Sequence, residues 1–130
     1  MSEANLTGVW HGLYTYPSRF MRVLFDATLI ESGRWLTGST HEICGTGPFK
    51  GRMIYATLSG ERAGHVVTFR KTYDGSVPNY SRVDYEGALS ADATEIEGRW
   101  RVSHNWSGKF LMIRSVGKEQ AVDAKVFERI

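Results

Sequence analysis

The stretch that decides the fold reads MRVLFDATLIESGRWLTGSTHEI, residues 21–43. Apolar side chains stand at every second position of its first half: Val23, Phe25, Ala27 and Leu29. Such period-two alternation is typical of a β-strand with one buried face. Ser32-Gly33 then gives a turn signal, and a second run rich in β-formers covers residues 34–43. The stretch therefore predicts an antiparallel hairpin.

Similar short runs, separated by Gly, Asp, Asn, Ser and Pro, extend on both sides of this hairpin. The eight runs span residues 8–16, 21–31, 34–43, 52–59, 65–73, 80–89, 95–102 and 109–116. Almost every connection is short enough for a hairpin, which favours an up-and-down meander over a Greek-key β-sandwich. We therefore predict an all-β fold, a closed antiparallel up-and-down barrel of about eight strands, since closure removes the exposed sheet edges.

The 130 residues fit a single β-barrel domain, with the barrel over about 6–116 and a tail over 117–130. Within the tail, Val122, Val126 and Ile130 are spaced four residues apart, as on one face of a helix. Val122, Ala124 and Val126 also alternate, as in a strand. A short C-terminal helix packed on the barrel is favoured, and a ninth strand is the alternative.

The composition and net charge exclude several classes of protein. The chain carries 16 Lys and Arg against 14 Asp and Glu, a net charge of +2 without a basic cluster, so no nucleic-acid partner is expected. No apolar stretch approaches the roughly 20 residues that span a bilayer, and the polar N-terminus lacks a signal-peptide pattern. The single cysteine excludes an intramolecular disulfide. The expectation is a soluble, cytoplasmic protein.

One segment carries a family resemblance. Gly8-Val9-Trp10-His11-Gly12-Leu13-Tyr14 resembles the Gly-x-Trp start of the calycin group, which includes lipocalins, fatty-acid-binding proteins and avidins, and similar glycine-spaced strands recur at 36–38, 85–87 and 96–100. In those families the tryptophan closes one end of the barrel, and the central cavity holds a small, usually apolar ligand. The resemblance implies a lipocalin-like barrel that binds a small apolar or amphipathic molecule.

The same segment followed by Tyr16-Pro17 is similar to the Trp…Tyr-Pro signature of the nitrobindin-like haem barrels. The spacing here is two residues shorter, and Tyr14 stands where that pattern has a further glycine. Those barrels also need a histidine near the C-terminal end as the iron ligand. His104 is the one candidate, and it lies in a predicted turn. We therefore expect no cofactor and keep haem as the less favoured reading.

Alternation also assigns an interior face to each strand. The residues predicted to line a ligand site are Trp10, Tyr14, Glu42, Phe69, Lys71, Tyr73, Tyr85, Trp100, Met112 and Arg114. Among them, Glu42, Lys71 and Arg114 share faces with core residues, and a buried unpaired charge is costly. One interpretation is a polar cluster that holds an anionic or polar head group. The other is a structural ion pair, or charges that reach solvent at the barrel rim.

Three functions remain open from the sequence. The favoured one is a small-molecule binder whose ligand lies in the barrel cavity. The second is a small enzyme, an isomerase or hydrolase, with Glu42 as base and Lys71 or Arg114 stabilising an oxyanion. The third is an interaction module with a filled core. Its outer face would form a homodimer, and the candidate residues for that face are Trp35, Tyr55, Trp106, Leu24 and Ile113.

No metal site is predicted. The histidines at 11, 41, 65 and 104 are scattered, without a spacing that suits one metal ion, and there is no cysteine cluster. His11 and His41 are predicted to be exposed on the outer face. Cys44 is interpreted as an inert loop thiol rather than as a nucleophile.

Overall fold

The computed structural model describes residues 5–16, 22–45, 47–78, 80–103 and 106–115. Eight strands form a closed barrel in which each strand pairs antiparallel with its sequence neighbours and β1 pairs with β8. The strands are β1 (Gly8–Thr15), β2 (Arg22–Ser32), β3 (Trp35–Ile43), β4 (Met53–Ala63), β5 (Val66–Tyr73), β6 (Arg82–Leu89), β7 (Glu95–Ser103) and β8 (Trp106–Arg114). The predicted all-β up-and-down barrel is confirmed, and the sandwich alternative is wrong. The C-terminal helix or ninth strand falls outside the described residues.

The hairpin of β2 and β3, residues 22–43, forms as its alternation predicts. Ser32 pairs with Trp35 next to the turn, and the pairing continues to Phe25 opposite Glu42. Phe25, Ala27 and Leu29 are buried inside the barrel, whereas the side chains between them face outward. Burial of one face thus fixes the register, because a shift by one residue would exchange the two faces.

The two ends of the barrel differ. At the end that we call the closed end, short turns join β2 to β3 and β4 to β5. Residues 5–7 pack against this end, where Leu6 is fully buried and its carbonyl accepts a hydrogen bond of 3.0 Å from Trp10 Nε1. At the open end, longer connections join β3 to β4 and β5 to β6. We call this end the open end because the cavity described below lies there.

A continuous apolar core fills the barrel from the closed end to its middle. Its members are buried side chains from all eight strands, among them Trp10, Leu29, Leu36, Leu58, Val67, Phe69, Ile96, Phe110 and Met112. The Phe69 and Tyr85 rings stack at 4.8 Å between centroids, and Phe110 packs edge-on against both. Close packing of this kind fills the interior of the barrel on the closed side.

Two strand boundaries differ from the prediction. The chain was expected to turn at residues 60–64, but β4 continues to Ala63. A Cβ at Gly60 would stand 1.9 Å from the Thr68 carbonyl oxygen, so this glycine permits close approach of β4 and β5 rather than a turn. Strand β8 begins at Trp106 instead of residue 109, after a register shift between Arg101 and Ser103.

The middle of the outer face of β1 and β8 is buried. His11 and Ile113, which were predicted to lie at the surface, are 7% and 4% exposed, and Leu13 and Leu111 beside them are fully buried. Alternation correctly gives the face on which a side chain lies but cannot tell whether that face is covered. Ile113 is therefore not part of an exposed dimer face, whereas Trp35 and Tyr55 are exposed.

Candidate functional site

A carboxylate and an ammonium group face each other inside the open end. Glu42 lies near the end of β3 and Lys71 near the end of β5. Lys71 Nζ donates a hydrogen bond of 2.8 Å to Glu42 Oε1, and each side chain is only 1% exposed. A buried ion pair needs such geometry, together with further hydrogen bonds, to offset the loss of hydration of both charges.

Two tyrosines supply those further hydrogen bonds. The Tyr14 hydroxyl donates to Glu42 Oε2 over 2.5 Å, and the Tyr73 hydroxyl donates to Oε1 over 2.9 Å. Burial, and then the neighbouring negative charge of Glu42, raise the pKa of both phenols well above the ordinary value. Both tyrosines therefore stay neutral hydrogen-bond donors, and the carboxylate accepts three hydrogen bonds as an anion.

Aromatic rings enclose the ammonium group. Lys71 Nζ lies 4.7 Å from the Phe25 ring centroid, 4.8 Å from Tyr73, 5.2 Å from Tyr14 and 5.8 Å from Tyr85. These distances allow cation–π attraction to the buried ammonium group. Burial lowers the pKa of Lys71, and the attraction of Glu42 opposes that effect.

The position of the Phe25 ring depends on Gly12. The two residues pair across β1 and β2, and a Cβ at Gly12 would stand 2.1 Å from Phe25 Cζ. Phe25 therefore lies over the bare backbone of β1, directly beneath the ammonium group. Any larger residue at position 12 would displace the ring from Lys71.

A cavity of about 270 Å³ lies above this cluster, at the open end. Five tyrosines and two tryptophans dominate its lining, which consists of Tyr14, Tyr16, Tyr73, Tyr80, Ser81, Arg82, Val83, Tyr85, Trp100, Val102 and Trp106. The rings support one another: Tyr16 packs against Trp100 and Trp106 at 5.9 Å, and Tyr73 against Tyr80 at 5.0 Å. The lining is therefore mostly aromatic, and its rings pack against one another.

The floor of the cavity has more hydrogen-bond donors than acceptors. Tyr14, Tyr73 and Tyr85 line the cavity and also contact the ammonium group of Lys71. Within the part of the chain that the structure describes, Lys71 makes one hydrogen bond and the Tyr85 hydroxyl makes none. An ammonium group has three N–H donors, so two remain, together with the Tyr85 hydroxyl.

The closed end holds the third predicted charge. The Arg114 guanidinium lies 4.8 Å from the Trp10 ring centroid. It donates to the backbone carbonyls of Asn5, over 2.8 Å, and Thr7, over 3.5 Å. These hydrogen bonds hold the N-terminal segment in place over Trp10. Arg114 therefore lies at the opposite end of the barrel from Glu42 and Lys71.

The predicted site residues therefore separate into three groups. Those at the open end are Tyr14, Glu42, Lys71, Tyr73, Tyr85 and Trp100. Phe69 and Met112 belong to the packed core, while Trp10 and Arg114 meet at the closed end. The sequence reasoning did not find the cavity-lining Tyr16, Tyr80 and Trp106. Tyr16 has the same parity as Trp10 and Tyr14 in the predicted run 8–16, so alternation was a usable signal for it. Tyr80 has the parity opposite to Tyr85, and Trp106 precedes the predicted eighth run.

Among the described residues, no group of three His, Cys, Asp or Glu side chains is placed to hold a metal ion. The candidate haem ligand, His104, lies outside them. No helix in the described ranges is long and apolar enough to cross a membrane. No protein-family model matches the chain, and a search of curated proteins finds no relative of it.

Proposed function

We propose that this protein binds a small, flat, largely apolar molecule in the cavity at the open end, and that an oxygen acceptor on the ligand faces the floor. The observation that carries the proposal is the excess of donors at the floor of an otherwise aromatic cavity. A carbonyl, phenolate or carboxylate oxygen would accept from the Tyr85 hydroxyl, with the positive charge of Lys71 directly beneath.

The size and lining of the cavity support a compact ligand. Ligand pockets commonly measure roughly 300–1,000 Å³, so a cavity of about 270 Å³ lies just below that range. Faces and edges of Tyr and Trp rings favour stacking with a planar partner. A molecule of one or two fused rings fits these properties better than a long acyl chain does.

The geometry favours binding over the use of Glu42 as a general base. A base must reach the proton that it removes, and it works best with a pKa near the working pH. Glu42 instead accepts hydrogen bonds from Lys71, Tyr14 and Tyr73 and is almost fully buried. Its carboxylate is committed to holding the floor residues in place.

Isothermal titration calorimetry with three probes of one shape tests the proposal: naphthalene, 2-naphthol and 2-naphthoate. We expect the two oxygen-bearing probes to bind roughly tenfold more tightly than naphthalene, since a buried hydrogen bond contributes about 1–1.5 kcal/mol. Tyr85→Phe should remove most of that difference. The matched control is Tyr55→Phe, which deletes the same oxygen from an exposed tyrosine on the outer face of β4.

Two results would contradict the proposal. One is that none of the three probes binds and that native mass spectrometry of gently purified protein shows no bound small molecule. The other is that Tyr85→Phe and Tyr55→Phe change the affinity for 2-naphthol equally, which would show that the probe does not bind at the floor of the cavity.

A further inference from the structure

The rim of the open end carries an unbalanced charge. We define the rim as the two terminal residues of each strand at that end together with the described connections between them. Its exposed cations are Lys50, Arg52 and Arg82, together with Arg22, which has a further interaction partner, and its one exposed acid among the described residues is Asp74. Glu42 also lies at a strand terminus here, but it is buried and neutralised by Lys71.

The closed end is balanced by the same definition. Among the described residues it carries three cations and three acids, namely Arg34, Arg62, Arg114, Glu31, Asp92 and Glu95. The strands have eight to eleven residues, which separates the two ends by roughly 20 Å after allowance for strand tilt. That separation exceeds a Debye length at physiological salt, so a charged surface near the rim would attract the rim without being influenced by the closed end.

The rim also exposes apolar side chains. Ile43 and Met53 form a cross-strand pair between β3 and β4, and Val102 and Trp106 lie on the far side of the opening. All four are exposed although each belongs to a strand. They lie on both sides of the opening rather than in one patch. A flat partner that meets the whole rim would cover them together, whereas a narrow groove-binding peptide would not.

From the charge and the position of these side chains, we infer that the open rim docks on the surface of an anionic lipid bilayer. Lys50, Arg52 and Arg82 would attract acidic head groups, and the apolar rim side chains would enter the interfacial region, where tryptophan is favoured. In this orientation the cavity faces the bilayer. The inference rests on the rim alone and does not depend on the identity of any ligand.

Vesicle co-sedimentation of the full chain provides the test. We expect binding to vesicles of phosphatidylcholine and phosphatidylserine but not to phosphatidylcholine alone. Binding should be lost when the salt concentration is raised from about 0.02 M to about 0.5 M, because the Debye length falls from roughly 20 Å to roughly 4 Å. Lys50→Glu and Arg52→Glu should each weaken binding by tenfold or more, since a single basic residue near such a surface contributes about fivefold.

Matched variants at the closed end provide the controls. Arg34→Glu reverses an exposed charge there and should leave vesicle binding within about twofold. Ile43→Ser should weaken binding, whereas Ile30→Ser should not, although the two residues are 58% and 52% exposed. Trp106→Phe should abolish the blue shift of tryptophan emission on vesicles, and Trp35→Phe should preserve it. Circular dichroism confirms that each variant is folded.

Three outcomes would overturn the inference. The first is the absence of binding to the phosphatidylserine vesicles at low salt. The second is equal binding to both vesicle types, which would remove the role of the cations. The third is an equal loss in Arg34→Glu and Lys50→Glu, which would mean that the rim is not the docking face. A self-association seen without vesicles and abolished by Ile43→Ser would assign the rim to a second copy of the chain instead.

Discussion

Each end of the barrel buries an ion pair, and the two pairs have different surroundings. At the closed end, Arg62 Nη1 lies 3.1 Å from Glu31 Oε1, with side chains 6% and 8% exposed. Backbone groups complete this pair: Arg62 Nε donates to the Gly64 carbonyl, and Glu31 accepts from the Leu6 amide. At the open end, tyrosine side chains complete the pair of Glu42 and Lys71.

The difference indicates separate roles for the two pairs. A pair bonded to the backbone holds a turn and the N-terminal segment in position, and its own polar groups are directed to those partners. The open-end pair is surrounded by side chains. It supports the floor of the cavity and leaves hydrogen-bond donors of Lys71 without an acceptor among the described residues. The same chemistry, a cation beside a glutamate, therefore stabilises the fold at the closed end and shapes a candidate binding site at the open end.

The largest expected effect is at the open-end pair. Glu42→Leu leaves the Lys71 ammonium buried without an anion, and we expect the free energy of unfolding to fall by about 3–5 kcal/mol. Urea denaturation monitored by circular dichroism measures this. Combining Glu42→Leu with Lys71→Met should restore most of the loss, because no charge is then buried. If the double variant were as unstable as Glu42→Leu, the cost would come from packing rather than from charge.

The closed-end pair should respond more weakly. Arg62→Met removes the cation, but Glu31 keeps its hydrogen bond from the Leu6 amide and lies nearer to solvent. We expect a loss of about 2–3 kcal/mol in the same urea measurement. A loss larger than that of Glu42→Leu would reverse the comparison between the two ends.

The open end should also give the protein a distinctive alkaline behaviour. The pKa values of Tyr14, Tyr73 and Tyr85 are raised in the folded state. These tyrosines therefore contribute to the free energy of unfolding below the pKa of an unfolded tyrosine, which is near 10, and that contribution is lost as the pH rises further. The pKa of Lys71 is lowered, so this residue makes the free energy of unfolding rise with pH instead. That rise ends near pH 10.4, where the lysine of the unfolded chain is also deprotonated.

Stability should therefore fall above about pH 10.5. Each buried phenol contributes a slope of up to about 1.4 kcal/mol per pH unit, so Tyr73→Phe should reduce the slope by that amount. Urea titrations at a series of pH values measure it. Tyr55→Phe is the control, and an identical slope in wild type and Tyr73→Phe would show that Tyr73 ionises in the folded protein.

The smallest changes should separate stability from binding. Arg114→Ala removes the cation from Trp10 and two hydrogen bonds to backbone carbonyls, and we expect a loss of about 1 kcal/mol with unchanged affinity for 2-naphthol. Tyr85→Phe should change stability by less than about 0.5 kcal/mol but weaken 2-naphthol binding. A reduced affinity for 2-naphthol in Arg114→Ala would show that the closed end influences binding at the open end.

The sequence predicted the barrel because alternation and short turns are local properties. It also placed Glu42 and Lys71 on interior faces, and they do meet. It did not separate Arg114 from them, because alternation gives only the face that a side chain occupies. The predicted up-and-down order already implied the separation: β3 and β5 run in one direction and β8 in the other, so their C-terminal ends lie at opposite ends of the barrel. Tyr80 was not predicted at the site because its parity is opposite to that of Tyr85, and it lies in a connection rather than in a strand.

The carboxylate of Glu42 has one more consequence, for the fidelity of folding. It joins β3 to Tyr14 on β1 and to Lys71 and Tyr73 on β5, strands that are not neighbours in the sheet. If β3 slipped by one residue, Glu42 would point outward and Lys71 would be left inside the barrel without its anion. Glu42 thus helps to select the correct strand register, because a barrel with shifted strands would be destabilised by the unpaired charge. Apolar side chains select the register less strictly, since they can pack against many partners.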